Sequence, residues 1–174
     1  MPLIVVEGVD GSGKTTLIQS FRQVAKRHCL ILSRSGPPKV QSDLLEPLYA
    51  ISNLGKSQIP LIVDRHPLIS EPIYGPICRG KSMIESVFDE GHAHLYVSTL
   101  ANRIIYCRPE MDTIMKSARR EKQMEGVIDN LWALYQKYDQ VMTNLSRLGT
   151  LVIPYDWTLD QSIDLNNLFL GVSA

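Results

Sequence analysis

The chain has 174 residues, 44% of them hydrophobic, and its 18 basic residues balance its 18 acidic residues. A neutral chain of this length predicts one domain with a sizeable core, and its charge favours neither a nucleic-acid binder nor a membrane-surface binder. Three widely spaced cysteines form no metal pattern, and no apolar run reaches the ~18 residues of a membrane span, so we expect reduced thiols, no membrane partner and a cytoplasmic location.

Short apolar runs alternate with helical periodicities along the chain. In order, we predict a strand over 2–7, a helix over 14–27, a strand over 29–33, a helix over 41–53, a strand over 59–63, a helix over 82–99, a strand over 104–107, a helix opened by Pro109 and Glu110, a long helix over 126–147, a strand over 151–153 and a helix over 158–170. Residues 67–81 hold three prolines and two glycines, which predicts short broken helices and loops.

Strands that are apolar throughout and alternate with helices predict a parallel sheet covered on both faces. We therefore expect an α/β fold of three layers with five parallel strands. Ligands of such folds bind beyond the carboxyl ends of the strands. Arg34, the pair Asp64 and Arg65, and Arg108 all follow predicted strands, as does the glycine-rich run 8–15, so these residues should gather at one edge.

Residues 8–15 read Gly-Val-Asp-Gly-Ser-Gly-Lys-Thr and join a predicted strand to a predicted helix. This spacing and context are typical of a phosphate-binding loop, in which glycines let backbone N–H groups point at an anion. Lys14 would add a charge for the β and γ phosphates, and the Thr15 hydroxyl would ligate Mg²⁺. The alternative is a glycine turn with an unrelated lysine. We call residues 8–15 the phosphate loop.

Two further clusters carry charge. Asp64 closes an apolar strand, where a carboxylate can lie beside a metal, and Arg65 could clamp a second phosphate; a turn residue and a surface ion pair are the alternatives. Residues 116–122 contain Arg119 and Arg120, which could stabilise a phosphoryl group in transfer from a closing lid, or could form a solvated helix face.

The remaining polar and aromatic residues do not indicate a specific chemical role by themselves. Asp10 stands among phosphate-binding amides and requires a partner such as a sugar hydroxyl or an arginine of the substrate. The four histidines have no metal-ligand spacing. Tyr135 and Tyr138 fit the apolar face of the long helix and are interpreted as packing residues, and the two tryptophans match no motif.

Residues 7–16, together with Asp64, Arg65 and His66, resemble the thymidylate kinase family of nucleoside monophosphate kinases. The resemblance extends to Ser70, Tyr74, residues 79–80 and 119–121, and the helix that contains Tyr138. It implies a single P-loop kinase domain over 1–174 with a short lid at about 114–125. It also implies transfer of the ATP γ-phosphate to dTMP with Mg²⁺, so that the partners are two nucleotides.

The resemblance assigns roles to individual residues. It implies an ATP site formed by Gly8, Asp10, Gly11, Ser12, Gly13, Lys14, Thr15 and Thr16, and a metal site at Thr15 with Asp64 in the outer shell. It implies an acceptor site formed by Asp10 at the 3′-hydroxyl, Arg34 and Arg65 at the phosphate, Tyr74 under the sugar, and Ser70 and Arg79. Lys14, Arg65, Arg119 and Arg120 would be catalytic.

The sequence also departs from this family. The family has Arg-Glu-Pro-Gly-Gly after the second strand, whereas residues 34–38 read Arg-Ser-Gly-Pro-Pro. The following stretch is short and matches neither the thymine-reading residues nor much of the dimer helix, which leaves a homodimer open. Small divergent phage-encoded kinases look similar, so a broad or altered preference, such as dGMP or dUMP, is an alternative.

Two rival functions stay open at this stage. A deoxynucleoside kinase would need a carboxylate base, for which Asp64 and Glu7 are the candidates. A nucleotide switch or binding protein is disfavoured, because the chain lacks an Asn-Lys-x-Asp guanine-reading motif.

Overall fold

The computed structural model describes residues 3–24, 29–33, 36–54, 59–101, 103–120, 123–159, 163 and 168. The strands are β1 Leu3–Glu7, β2 Leu30–Ser33, β3 Leu61–Asp64, β4 Arg103–Cys107 and β5 Leu151–Tyr155. The helices are α1 Lys14–Val24, α2 Ser42–Leu54, α3 Pro67–Arg79, α4 Glu90–Leu100, α5 Met111–Ala118 and α6 Leu131–Arg147.

The five strands form one sheet in the order β2-β3-β1-β4-β5, and every pairing is parallel. Central β1 is wholly buried, with Val6 level with Asp64 of β3 on one side and with Ile105 of β4 on the other. The predicted five-stranded parallel α/β fold is confirmed. This order places the phosphate loop, which follows β1, between the ends of β3 and β4.

Side chains of β1 alternate between two cores. Ile4 and Val6 pack against Leu17, Ile18 and Phe21 of α1. Leu3 and Val5 belong to the larger core on the opposite face, to which α2 to α6 all contribute buried residues. By the same alternation, the next residue on the larger-core face is Glu7, a charged side chain at the end of a buried strand.

Residues 67–79 form one continuous helix, so the prediction of short broken helices there is wrong. Pro67 occupies the first helical turn, where its missing N–H costs no hydrogen bond, and the Nδ1 atom of His66 caps the helix by accepting from Leu68 N–H. The helix continues through Pro72 and Pro76 because it buries residues such as Ile69 and Ile73 in the core.

Two predicted helices begin later than expected. The helix predicted over 82–99 covers residues 90–100, since the Asp89 carboxylate caps α4 by accepting from His92 N–H. The long helix begins at Leu131, because residues 125–130 form turns that include Gly126 at φ 78°. Most of the predicted 158–170 helix lies outside the described residues. In the part of the chain that is described, none of the helices is both long and apolar enough to cross a bilayer.

Candidate functional site

The phosphate loop is packed tightly on two sides. Gly11 and Gly13 have φ angles of 79° and 87°, which side-chain-bearing residues rarely adopt. A Cβ on Gly11 would lie 2.7 Å from the Ala118 nitrogen and 2.8 Å from the Ile114 oxygen. A Cβ on Gly13 would collide with the indole of Trp157. The end of α5 and Trp157, two residues beyond β5, therefore pack directly against the loop backbone.

Lys14 is folded against the same loop. Its side chain is buried, and its Nζ atom donates to the Val9 carbonyl at 2.6 Å and to the Ser12 hydroxyl at 3.4 Å. Burial, followed by the positive charge of Arg65, lowers the pKa of Lys14 to about 8. The lysine is thus held among the loop's backbone groups, where a phosphate would supply the negative charge that favours its protonated form.

Asp10 already has a partner within the protein, Arg65, rather than only the substrate group expected from the sequence. The Arg65 Nη2 atom donates to Asp10 Oδ1 at 2.6 Å and to the Tyr74 hydroxyl at 3.2 Å, and that hydroxyl also accepts from Asp10 N–H at 3.1 Å. Burial raises the pKa of Asp10, but the charges of Arg65 and Lys14 outweigh it and lower the pKa. Among the described residues, Arg65 alone combines a side chain with a positive φ, 67°. Such a conformation is costly and is commonly kept at functional sites.

Glu7 is connected to Arg65 through the hydroxyl of Tyr138. Its side chain is fully buried, Oε1 accepts from His66 N–H at 2.7 Å, and Oε2 accepts from the Tyr138 hydroxyl at 3.0 Å. That hydroxyl in turn accepts from Arg65 Nη1 at 3.2 Å. Burial raises the pKa of Glu7 to about 7 against the opposing effect of Arg65. Tyr138 packs in the core, as expected, but it also carries a hydrogen bond that the packing interpretation missed.

The phosphate loop and Arg65 face a cavity of about 790 Å³, a size typical of small-molecule sites. The cavity brings together most of the residues predicted from the sequence: Asp10, Gly11, Gly13, Lys14, Thr15, Thr16, Asp64, Arg65, Ser70, Tyr74 and Arg79. Ser12 and Gly8 are buried and do not line it. Arg119 and Arg120 are exposed and lie outside its lining, whereas Ser117 and Gln123 belong to it. Arg34 lies outside the described residues.

The cavity also contains residues that no motif marked. Trp157 lines it from the end of β5, and Glu71 and Met124 line it near Arg79. Only the order of the strands brings β5 close to the phosphate loop, so no local pattern could have revealed Trp157. Arg108 follows β4 at this edge, as expected, but it forms a two-point ion pair with Asp139 at 2.7 and 2.9 Å and is absent from the lining.

A magnesium ion would find oxygen ligands at one end of the cavity. Among the described residues there is no group of three or more His, Cys, Asp or Glu side chains that could enclose a metal. However, Mg²⁺ commonly binds through one or two protein oxygens together with substrate phosphates. The Thr15 hydroxyl and the Asp64 carboxylate both line the cavity beside Lys14, so the residues present fit this kind of ion.

Among known proteins, only solved structures resemble this chain; the sequence comparisons found no match. No model of a known protein family matches the sequence, and no curated protein sequence matches it significantly. The YorR protein of Bacillus subtilis, solved in complex with phosphorylated GDP, is 19% identical with a TM-score of 0.64, over 90% of this chain and 86% of YorR.

The deoxyadenosine kinase of M. mycoides is similar over 98% of this chain and 96% of the kinase. Its dCTP complex gives 17% identity and a TM-score of 0.56, and its dATP complex gives 14% and 0.59. At these identities the likeness establishes architecture alone. The chain has the fold of the P-loop nucleotide kinases.

Proposed function

We propose that this protein transfers the γ-phosphate of ATP to a deoxynucleoside monophosphate, with dTMP first among the acceptors. The observation that carries the proposal is that two cations from different elements face one cavity. Lys14 comes from the phosphate loop and Arg65 from the end of β3, and the Asp10 carboxylate is bound to Arg65 between the loop and α3. Two separate cationic side chains fit a pair of phosphate-bearing substrates better than they fit a single one, because each cation can bind the phosphate of a different substrate.

On the donor side, the loop amides and Lys14 bind the ATP phosphates. Thr15 and Asp64 are the residues that would hold Mg²⁺, which neutralises phosphate charge when it is bound. An acceptor phosphate is already ionised near neutral pH, so the reaction requires positioning and charge neutralisation rather than a general base.

On the acceptor side, Arg65 binds the phosphate that is attacking. Its guanidinium is fixed by Asp10, by the hydroxyls of Tyr74 and Tyr138, and by its position 4.8 Å above the Tyr74 ring. Asp10 faces the sugar hydroxyl and Tyr74 lies under the sugar, with Ser70 and Arg79 completing this half of the site. Arg34 would act on the same phosphate.

Arg119 and Arg120 belong to a lid of about residues 114–125 that closes over the transferred group. The support for this role is their place in the chain: they directly follow Ala118, whose backbone touches Gly11 of the phosphate loop. An exposed arginine beside the loop can reach the γ-phosphate by a side-chain movement rather than a domain movement.

Two alternative acceptors have support of their own. A broad or altered preference, such as dGMP or dUMP, is supported by the guanine nucleotide bound to YorR. A deoxynucleoside kinase is supported by the likeness to the M. mycoides enzyme. That rival must rely on Asp64 as its base, because Glu7 is fully buried, is hydrogen-bonded through both oxygens and does not line the cavity.

A coupled ADP-release assay tests the proposal. We would supply ATP and Mg²⁺ with dTMP, dUMP, dGMP, dAMP, dCMP, the ribonucleotides or thymidine. We expect turnover with at least one deoxynucleoside monophosphate. Turnover with thymidine but with no monophosphate would favour the deoxynucleoside kinase instead, and no turnover with any acceptor would favour a nucleotide-binding protein.

Substitutions test the roles that we propose for Lys14, Arg65 and the two lid arginines. Lys14→Ala should abolish turnover without unfolding the protein. Arg65→Ala should raise the acceptor KM and lower kcat while ATP affinity changes little, and Arg119→Ala with Arg120→Ala should mainly lower kcat. Arg147→Ala, at the exposed end of α6, is the matched control and should retain wild-type kinetics. Reduced ATP affinity in Arg65→Ala would reverse our placement of donor and acceptor.

A further inference from the structure

Arg79 is clamped at the end of α3 by a buried carboxylate. Its Nη2 atom lies 2.6 Å from both oxygens of Glu71, whose side chain is only 2% exposed. Glu71 Oε1 also accepts from Met83 N–H at 2.9 Å. Gly75 leaves room for this arrangement, since a Cβ there would approach Glu71 Oε1 to 2.8 Å. The guanidinium therefore has a fixed position in the cavity wall.

The ion pair with Glu71 occupies only some of the hydrogen-bond donors of the Arg79 guanidinium. Arginine has five N–H donors. The Nη1 atom approaches only the Met124 sulfur, a weak acceptor, at 3.9 Å, so it can still donate to a ligand. The Nε atom is buried and has no hydrogen-bond partner among the described residues. Glu71 already accepts from Arg79 and Met83, and it is almost fully buried. Arg79 is thus the member of the pair that can meet a ligand, and Glu71 positions it.

Arg79 lies in a different part of the cavity wall from Arg65, because its partners are Glu71 and Met124 rather than Asp10, Tyr74 and Tyr138. It follows Tyr74, the residue that contacts Arg65, by five positions along α3, a helical rise of ~7.5 Å. The cavity wall also contains apolar side chains, among them Pro38, Leu44 and Met124. A flat heterocycle fits an apolar wall that carries one fixed arginine.

We propose that Arg79, positioned by Glu71, reads the base of the acceptor nucleotide and selects bases that present a keto oxygen where adenine and cytosine present an amino group. This inference rests on the proposed function, because it assumes that the acceptor is a nucleotide. A guanidinium only donates hydrogen bonds, so it pairs with the keto oxygen of guanine, thymine or uracil and opposes an amino group. Guanine offers a second acceptor, N7, beside its keto oxygen.

The test compares kcat/KM for dGMP, dTMP, dUMP, dAMP and dCMP in the wild type, Arg79→Met and Arg79→Lys. We expect the wild type to prefer keto bases. Arg79→Met should lose about 10- to 100-fold of kcat/KM with them and much less with dAMP and dCMP. The KM for ATP should not change. An equal loss with all five acceptors, no loss, or a wild-type preference for dAMP or dCMP would overturn the inference.

Arg79→Lys guards against misfolding, because it keeps a positive charge beside the buried Glu71 but removes the planar fork. It should fold, as judged by its thermal unfolding midpoint, and still lose most of the keto preference. Glu71→Gln should move the base preference in the same direction by a smaller factor. Arg147→Met is the surface control and should leave the preference unchanged.

Failure of the proposed function can be told apart from failure of this inference. If wild-type protein transfers phosphate to no monophosphate, the proposed function fails. Calorimetric binding of the same five nucleotides then decides the inference by itself. Keto-selective binding that Arg79→Lys abolishes supports it, and binding without base preference overturns it.

Discussion

The hydroxyl of Tyr138 donates to Glu7 at 3.0 Å, across 131 positions of the chain, and accepts from Arg65 at 3.2 Å. One oxygen atom therefore connects the end of the central strand β1, the long helix α6 and the arginine that faces the cavity. Because Glu7 and Tyr138 are both completely buried, this connection is shielded from solvent. It makes the orientation of Arg65 depend on the packing of the core.

Replacing Tyr138 with phenylalanine should affect both stability and acceptor binding. The change leaves a buried oxygen of Glu7 without its donor, which should lower the free energy of unfolding by about 1–3 kcal/mol. Arg65 also loses one of its partners, so the acceptor KM should rise while ATP affinity stays the same. Urea unfolding and steady-state kinetics measure the two effects.

Tyr135→Phe is the matched control for that substitution. Tyr135 lies on the same helix, but its hydroxyl donates to the Pro109 carbonyl at 3.2 Å, away from Arg65. It should cost about 0.5–1.5 kcal/mol of stability without changing the acceptor KM. An equal rise of the acceptor KM in both variants would refute the positioning role of Tyr138.

Gly13→Ala should destabilise the protein more than Gly149→Ala does. Both glycines have a left-handed backbone, with φ angles of 87° and 93°. A Cβ at Gly149 meets nothing within 4 Å, whereas a Cβ at Gly13 meets the Trp157 ring. The overpacking should add about 1–3 kcal/mol to the cost at Gly13. In a Trp157→Ala background the two costs, measured by urea unfolding, should become similar; a gap that persists there would assign the difference to another cause.

The affinity for ATP should decrease as pH rises above about 8. In the free protein the pKa of Lys14 is lowered to about 8 by burial and by Arg65, and bound phosphates should raise it again. Free protein then loses a proton that the complex retains, so affinity should fall by up to about tenfold per pH unit above the free-protein pKa. Calorimetric titration in buffers of different ionisation enthalpy should detect proton uptake on binding.

Lys14→Arg is the control for this pH dependence. An arginine stays charged throughout the range, so its ATP affinity, even if weaker, should not vary between pH 7 and 9. A wild-type affinity that is constant over the same range would contradict the lowered pKa of Lys14.

Stability should depend on the ionisation of Glu7. Its pKa is raised from 4.5 to about 7 by burial, so the folded state binds this proton more tightly than the unfolded state does. The resulting stabilisation is fully present below pH 4.5 and is lost as pH rises through 7. Relative to Glu7→Gln, the wild type should lose on the order of 1 kcal/mol per pH unit between pH 5 and 7 in urea unfolding. Parallel stability curves for the two proteins would show that Glu7 stays ionised throughout.

The sequence predicted the parallel sheet and most residues of the cavity, because both depend on local patterns. Buried strands read as apolar runs, and the phosphate loop has its own spacing. The roles of Tyr138, Trp157 and Glu71 could not be predicted in this way. The roles of Tyr138 and Trp157 depend on contacts between elements that are distant in the chain, and a tyrosine on an apolar helix face looks the same whether or not its hydroxyl has a partner. The role of Glu71 depends on Arg79 of the same helix, which the prolines of that segment concealed.

Helix α3 shows a different limit. Prolines within residues 67–79 predicted interruption, since each removes a backbone donor. Seven residues of this helix are buried, and that burial outweighs the lost hydrogen bonds. Propensity describes the backbone alone, whereas the core selects the conformation that buries the most surface.

The contact of Gly11 with α5 has a mechanical consequence. The Ala118 nitrogen and the Ile114 carbonyl lie so near Gly11 that they leave no room for a Cβ, and the loop cannot move toward this helix without displacing its end. A rearrangement of the loop in that direction would therefore shift the backbone that leads directly into Arg119 and Arg120. The position of Arg119 and Arg120 is thus tied, through the end of α5, to the position of the phosphate loop.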